Sequence, residues 1–186
     1  MTCFRKSNRR TGGGQSIFDN IGEDDLIIAF FPCTRFETKC AMHMKCHAYA
    51  ELKWDDEKKV AYSMKMNDEV ASMYKYLCEM FLIVLQRGLR MIVENPYHHD
   101  SYLTRYFPIE PRLIDKDRTK NGDYFKKPTQ YFFINCDPEN NLVFEPLEYV
   151  EPERIIYIKR NRSIERSKIH PQYANRFIRQ YILDGE

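Results

Sequence analysis

The sequence predicts an α/β fold of three layers around a mostly parallel sheet, and three segments carry the prediction. Asp25-Leu-Ile-Ile-Ala-Phe-Phe31 is an apolar run with acids before it and Pro32 after it. A run without polar alternation is what a central strand of a parallel sheet shows, because both its faces are covered. Val70, Met73, Tyr74, Leu77, Phe81, Val84 and Leu85 recur at three- and four-residue spacing, the apolar stripe of a helix. Leu89-Arg-Met-Ile-Val93 reads as the next strand, closed by Glu94-Asn95-Pro96. Strand, helix, strand is a βαβ unit, whose crossover is right-handed.

The remaining elements follow in order. Residues 1–23 are polar, contain Gly12-Gly13-Gly14 and read as an irregular arm, leaving 24–186 as a single domain. Residues 34–66 have weak periodicity and read as a long loop with short helical pieces. Asn67 then caps the helix, Asp68 and Glu69 sit in its first turn where the dipole favours acids, and Gly88 ends it. Arg112–Asp115 reads as a short strand, 117–123 as a charged turn, Tyr131–Ile134 as a strand, and 141–150 as an acidic turn region. Residues 155–158 are read as a last strand and His170–Leu183 as a terminal helix, with Pro171 in its first turn.

Composition narrows the class. The chain has 186 residues, 43% hydrophobic and 30% charged, enough for one domain with a real core. No apolar run approaches the roughly 20 residues that span a bilayer. The basic N-terminus has no apolar stretch behind it, so a secretory signal is not expected and the cytoplasm is. Six cysteines without such a signal read as free thiols. Net charge is only +2, but Arg5, Lys6, Arg9 and Arg10 cluster at one end, and Lys159, Arg160, Arg162, Arg166, Lys168, Arg176 and Arg179 at the other. Such clusters are solvated surface or contacts to phosphates.

Topology then selects a site. Cys33 follows the first strand and Glu94 ends the second, so a parallel sheet puts both on its carboxyl edge, where open α/β folds bind ligands. Each residue also has a plain structural reading: Cys33 as a small buried hydrophobe, Glu94 as an acceptor for backbone donors. Cys40, His43, Cys46 and His47 offer soft ligands at close spacing, yet zinc sites usually draw on two separated pairs. No metal is expected, and whether Cys40, His43 and Cys46 bind one stays open at this level.

Phe31-Pro-Cys-Thr34, Val93-Glu-Asn-Pro96, Phe125-Lys-Lys-Pro-Thr129 before Tyr131-Phe-Phe-Ile-Asn135, and Arg166-Ser-Lys-Ile-His-Pro171 occur in this order from about residue 17 to 183. The set resembles the DNA cytosine (carbon-5) methyltransferase-like proteins of phages and gut bacteria. The resemblance implies a Rossmann-like fold, truncated relative to a complete methyltransferase domain, and DNA as partner. It implies Cys33 as a thiolate nucleophile toward carbon-6 of a flipped cytosine, and Glu94 as the group holding or protonating the ring. Pro32, Thr34, Asn95, Pro96, Tyr97, Lys126, Lys127 and Thr129 would bind substrate. S-adenosylmethionine is the implied cofactor, but no strand precedes Gly12-Gly13-Gly14, so the glycine-rich cofactor motif is not found, and that half is missing, shortened or supplied by a second polypeptide. Two alternatives stand: a catalytically inactive module of the same fold that binds nucleic acid or protein, and an amino-group methyltransferase using Asn95-Pro96-Tyr97.

Overall fold

A computed structural model describes residues 16–22, 24–36, 43–47, 51–144, 146–147 and 168–183. The expected strand at 155–158 and the glycine triplet lie outside these residues. Among those described, four strands form one sheet: β1 (Leu26–Phe30), β2 (Arg90–Pro96), β3 (Leu113–Asp115) and β4 (Thr129–Ile134), in the order β1-β2-β4-β3. Three α-helices accompany them: α1 (Asp56–Gln86), α2 (Tyr102–Tyr106) and α3 (Pro171–Tyr181). None is long and apolar enough to cross a membrane.

The class is α/β, but the sheet is mixed rather than mostly parallel. Only β1 and β2 pair in parallel; β4 is antiparallel to both β2 and β3. Parallel neighbours need a long crossover, usually a helix. The α1 connection provides one between β1 and β2. Between β3 and β4 lies only a short 3-10 turn, Arg118–Asn121, so the chain doubles back. It follows that β1, β2 and β3 run one way and β4 alone is reversed.

Two side-chain sets sandwich the sheet. On one face Met91 and Val93 of β2 and Phe132 and Ile134 of β4 meet Leu77, Met80, Phe81 and Val84 of α1. On the other, Ile92, Tyr131 and Phe133 meet Phe177 and Tyr181 of α3. This alternation is the period of two that any strand imposes, and it yields a helix on each face.

The run at β1 proves to be an edge strand, with Ile28 42% and Phe30 59% exposed. Its α1 face is covered; on the other face Leu26 packs with the α3 cluster, while Ile28 and Phe30 border a partly open pocket beside α3. An apolar run therefore marks high strand propensity here without marking a central place. Asn95 and Pro96 do not close β2; they belong to it, paired with Gln130 and Thr129.

The long helix also begins earlier than Asn67. The Asp55 carboxylate accepts the Lys58 N–H at 2.8 Å and caps it, while Asn67 is an exposed residue within the helix. Its first half has a sparse apolar pattern: among the described residues Met66 and Val70 form a small separate cluster with Met44, Tyr62 and Tyr102. At 31 residues the helix is about 46 Å long, against about 17 Å for five-residue β1. Its first half therefore overshoots the carboxyl edge of the sheet. At the other end Gly88, at φ +67°, closes the helix as expected: its N–H reaches Leu85 and that of Leu89 reaches Val84, a Schellman arrangement. Residues 16–22, expected as part of the arm, form a turn capped by Ser16 that buries Phe18 in the core. Arg87 fixes this turn by donating to the Phe18 carbonyl at 2.6 Å.

Candidate functional site

The reversed direction of β4 sets what gathers at the carboxyl edge. The ends of β1, β2 and β3 meet the beginning of β4 there. The edge therefore carries Pro32-Cys33-Thr34, Asn95-Pro96-Tyr97, the turn after Asp115, and Lys126-Lys127-Pro128-Thr129. Backbone bonds join these segments: Tyr97 N–H donates to the Pro128 carbonyl at 2.8 Å, Phe36 N–H to Cys33 at 2.8 Å, and Tyr102 N–H to Phe36 at 3.0 Å. Thr129 is buried with its hydroxyl on the Lys127 carbonyl at 2.9 Å. Pro32 and Thr34 are exposed, and Cys33 is half-buried and in no disulfide.

Alternation along β2 sends Glu94 to the α3 face and Asn95 to the α1 face. Both are buried, Glu94 being 6% and Asn95 1% exposed. Glu94 lines an apolar pocket with Ile28, Phe30, Ile92, Tyr173 and Phe177, enclosing about 420 Å³ of space, part of it open solvent. Of the ten expected site residues, Glu94 is the one that lines this pocket; Cys33 and Asn95 do not. The edge thus brings the expected segments together without converging their side chains on a single cavity.

The structure surrounds Glu94 with a charged group that sequence reading missed. Arg118 is fully buried, its guanidinium 3.8 Å from Glu94 Oε1 through Nη1 and paired through Nη2 with Asp123. Lys127 Nζ lies 3.6 Å from the same Glu94 oxygen. Neither cation hydrogen-bonds it, and Glu94 Oε1, Arg118 Nε and Arg118 Nη1 are all buried without a hydrogen-bond partner. Unmet buried groups are costly. These three atoms lie together behind the apolar pocket, whose lining includes Glu94 but neither Arg118 nor Lys127.

Tyrosines wall this group. The Arg118 guanidinium stacks on Tyr173, 4.4 Å from the ring centre. The hydroxyls of Tyr131 and Tyr173 are 2.7 Å apart, and Tyr173 donates to Asp115 Oδ2 at 3.1 Å. Burial pushes both phenols well above their ordinary range. Tyr131 and Tyr173 read in sequence only as apolar positions of a strand and a helix. The available signal was the hydroxyl itself, since a buried tyrosine normally finds a partner for it. Arg118 carried no such mark, being one charge among many in a charged turn.

The metal question divides. Cys40 lies outside the described residues; Cys46 is buried with Sγ 3.6 Å from the Lys59 carbonyl, and His43 Nδ1 is 2.8 Å from Glu51. His98, His99 and Asp100 do cluster, but their atoms are already used. Asp100 N–H donates to His98 Nδ1 at 3.1 Å, and the Asp100 carboxylate holds His99 at 2.9 Å and Arg105.

For S-adenosylmethionine the described residues do not fit. The resemblance implies a glycine turn joining a strand to a helix. Gly22 precedes β1, Gly88 ends α1 and Gly122 follows a 3-10 turn, so none does this, and no methyl-transfer step follows from these residues. Comparison of the chain with protein-family models, with curated proteins and with solved structures finds no match.

Proposed function

We propose that the chain is a DNA cytosine methyltransferase-like protein that supplies the base-binding edge, with the cofactor part contributed by a second polypeptide. The observation that carries this is the gathering of the Pro-Cys-Thr, Glu-Asn-Pro and Lys-Pro-Thr segments on one carboxyl edge. In this reading a flipped base enters edge-first at Glu94, a carboxylate oxygen with no hydrogen bond of its own. The partly open apolar pocket beside it takes the face of the base and lowers the local dielectric around that contact. Cys33 is the nucleophile at the end of β1, and Pro32, Thr34, Pro96, Tyr97, Lys126 and Thr129 form the rim. Lys127 accompanies Glu94 as its counter-ion, 3.6 Å away.

The second reading is a binding module of the same fold without chemistry. It is favoured by Glu94 being flanked by two cations and by the lack of a strand-to-helix glycine turn among the described residues. An amino-group methyltransferase built on Asn95 would use the opposite face of β2, where the buried Asn95 amide nitrogen also has no partner.

Calorimetric titration of this chain with a cytosine-containing oligonucleotide separates these readings. Heat that is lost in both Glu94→Gln and Cys33→Ser supports the enzyme's edge. Heat that is unchanged in Cys33→Ser supports the module. No heat with the oligonucleotide rejects both for this chain.

A further inference from the structure

The connection from β3 to β4, residues 115–127, carries three aspartates, four lysines and Arg118. Its acids are turned inward. Asp115 accepts from Asn121 at 2.9 Å, from Tyr173 at 3.1 Å and from the Asp117 N–H at 2.9 Å. Asp117 accepts from Thr119, whose N–H is at 3.2 Å. Asp123 accepts the N–H groups of Tyr124 and Phe125 and pairs with buried Arg118. Lys127 is likewise spent on Glu94. Lys116, Lys120 and Lys126 remain exposed, and among the described residues none of the three makes an ion pair.

A loop that was neutral by composition would have its lysines answered by its own carboxylates. Here five cations stand against three acids, and Asp123 is buried against Arg118, so the charge the loop presents outward is net positive. The loop is also anchored to α3 and the residue before it: the Tyr124 ring meets His170 at 4.1 Å, and Gly122 sits close enough to Gln172 that an added Cβ would come within 3.1 Å of it. An anchored loop backbone has less freedom to lose on binding than a mobile one.

We propose that Lys116, Lys120 and Lys126 form a phosphate-binding strip on which the backbone of a nucleic acid lies while its base faces the Glu94 pocket. This rests on the base-binding reading above but adds the surface and the ligand chemistry, a phosphodiester chain. By contrast, the exposed lysines of α1 have acids one turn away: Lys65 is 3.9 Å from Glu69 and Lys75 3.8 Å from Glu79.

The test is the salt dependence of binding to a single-stranded oligonucleotide carrying one cytosine, and to its abasic twin, measured by fluorescence anisotropy. Each phosphate neutralised contributes about 0.7 to the slope of log affinity against log salt, so Lys116→Gln/Lys120→Gln/Lys126→Gln should flatten it by about 2. Lys65→Gln/Lys75→Gln should leave it unchanged. An unchanged slope in the triple variant overturns the strip and leaves the base reading standing. A flattened slope with equal affinity for the cytosine and abasic strands upholds the strip and rejects the base reading. If the wild-type protein binds neither strand, both fall.

Discussion

Arg118 and Tyr173 stack, guanidinium carbon to ring centre 4.4 Å apart, and this contact joins the β3–β4 connection to the final helix. The cation is fully buried, so its stability depends on Asp123, Glu94 and the tyrosine face together. Replacing Arg118 by Met removes the ion-pair partner of buried Asp123 and leaves Glu94 with Lys127 alone, and should cost about 3–5 kcal/mol. Arg118→Lys keeps the charge but loses the planar stack and the fork, and should lose less. Urea denaturation of both variants measures the two costs; equal midpoints for Met and wild type would remove Arg118 from its central place.

The Tyr131–Tyr173 pair should set an alkaline limit. Burial raises both phenols in the folded state, whereas in the unfolded chain they ionise near 10. The native form therefore holds protons that the unfolded form releases above that pH. Their contribution is complete below the free phenol value and falls as pH rises past it. Unfolding free energies on either side of that value should show a steep alkaline drop in the wild type and a shallower one in Tyr131→Phe/Tyr173→Phe.

Phe81 joins helix to sheet on the other face. It is 2% exposed and its ring meets Phe107 edge-on at 4.8 Å and Phe132 at 6.2 Å. Phe81→Ala should cost about 3–5 kcal/mol by lost burial and the cavity left behind. Phe81→Leu, which refills most of the space, should recover a good part of this in thermal unfolding.

Two glycines at positive φ make a matched comparison. Gly88 (φ +67°) has open space where a Cβ would stand, while at Gly122 (φ +93°) a Cβ would come 3.1 Å from Gln172. Gly122→Ala should cost about 1–3 kcal/mol from strain plus a displaced side chain, and more than Gly88→Ala. Gly122→Ala/Gln172→Ala should return to near the Gly88→Ala value, since only the backbone penalty remains.

The βαβ unit was readable because its signals are local and repetitive: Leu77, Phe81 and Val84 mark one helix face, and Met91 to Val93 mark a strand. The β4 strand and the capped terminal helix were equally clear. The reversal of β4 was not, because strand direction depends on which neighbour it finds, and Tyr131–Ile134 would look the same either way. The edge position of β1 was hidden for a related reason: apolar residues record tendency, while their cover depends on where distant α3 packs, and α3 leaves Ile28 and Phe30 exposed. At the site, the edge placement of Glu94 followed from topology alone. The Arg118–Asp123–Tyr173 group did not, since its members are joined by tertiary contact and no spacing announces them.

The lone reversed strand also bears on the order in which the sheet assembles. Leu113 and Tyr131, paired across β3 and β4, are separated by one short connection, whereas Leu26 and Arg90 must close a loop that contains the whole of α1. Loop-closure entropy favours the nearer pairing first. The hairpin that carries Arg118 is then an early structure, and β1 with Cys33 a late arrival that opens first in hydrogen exchange. The half of the edge that holds the thiol can come and go on a scaffold whose charged half is already in place.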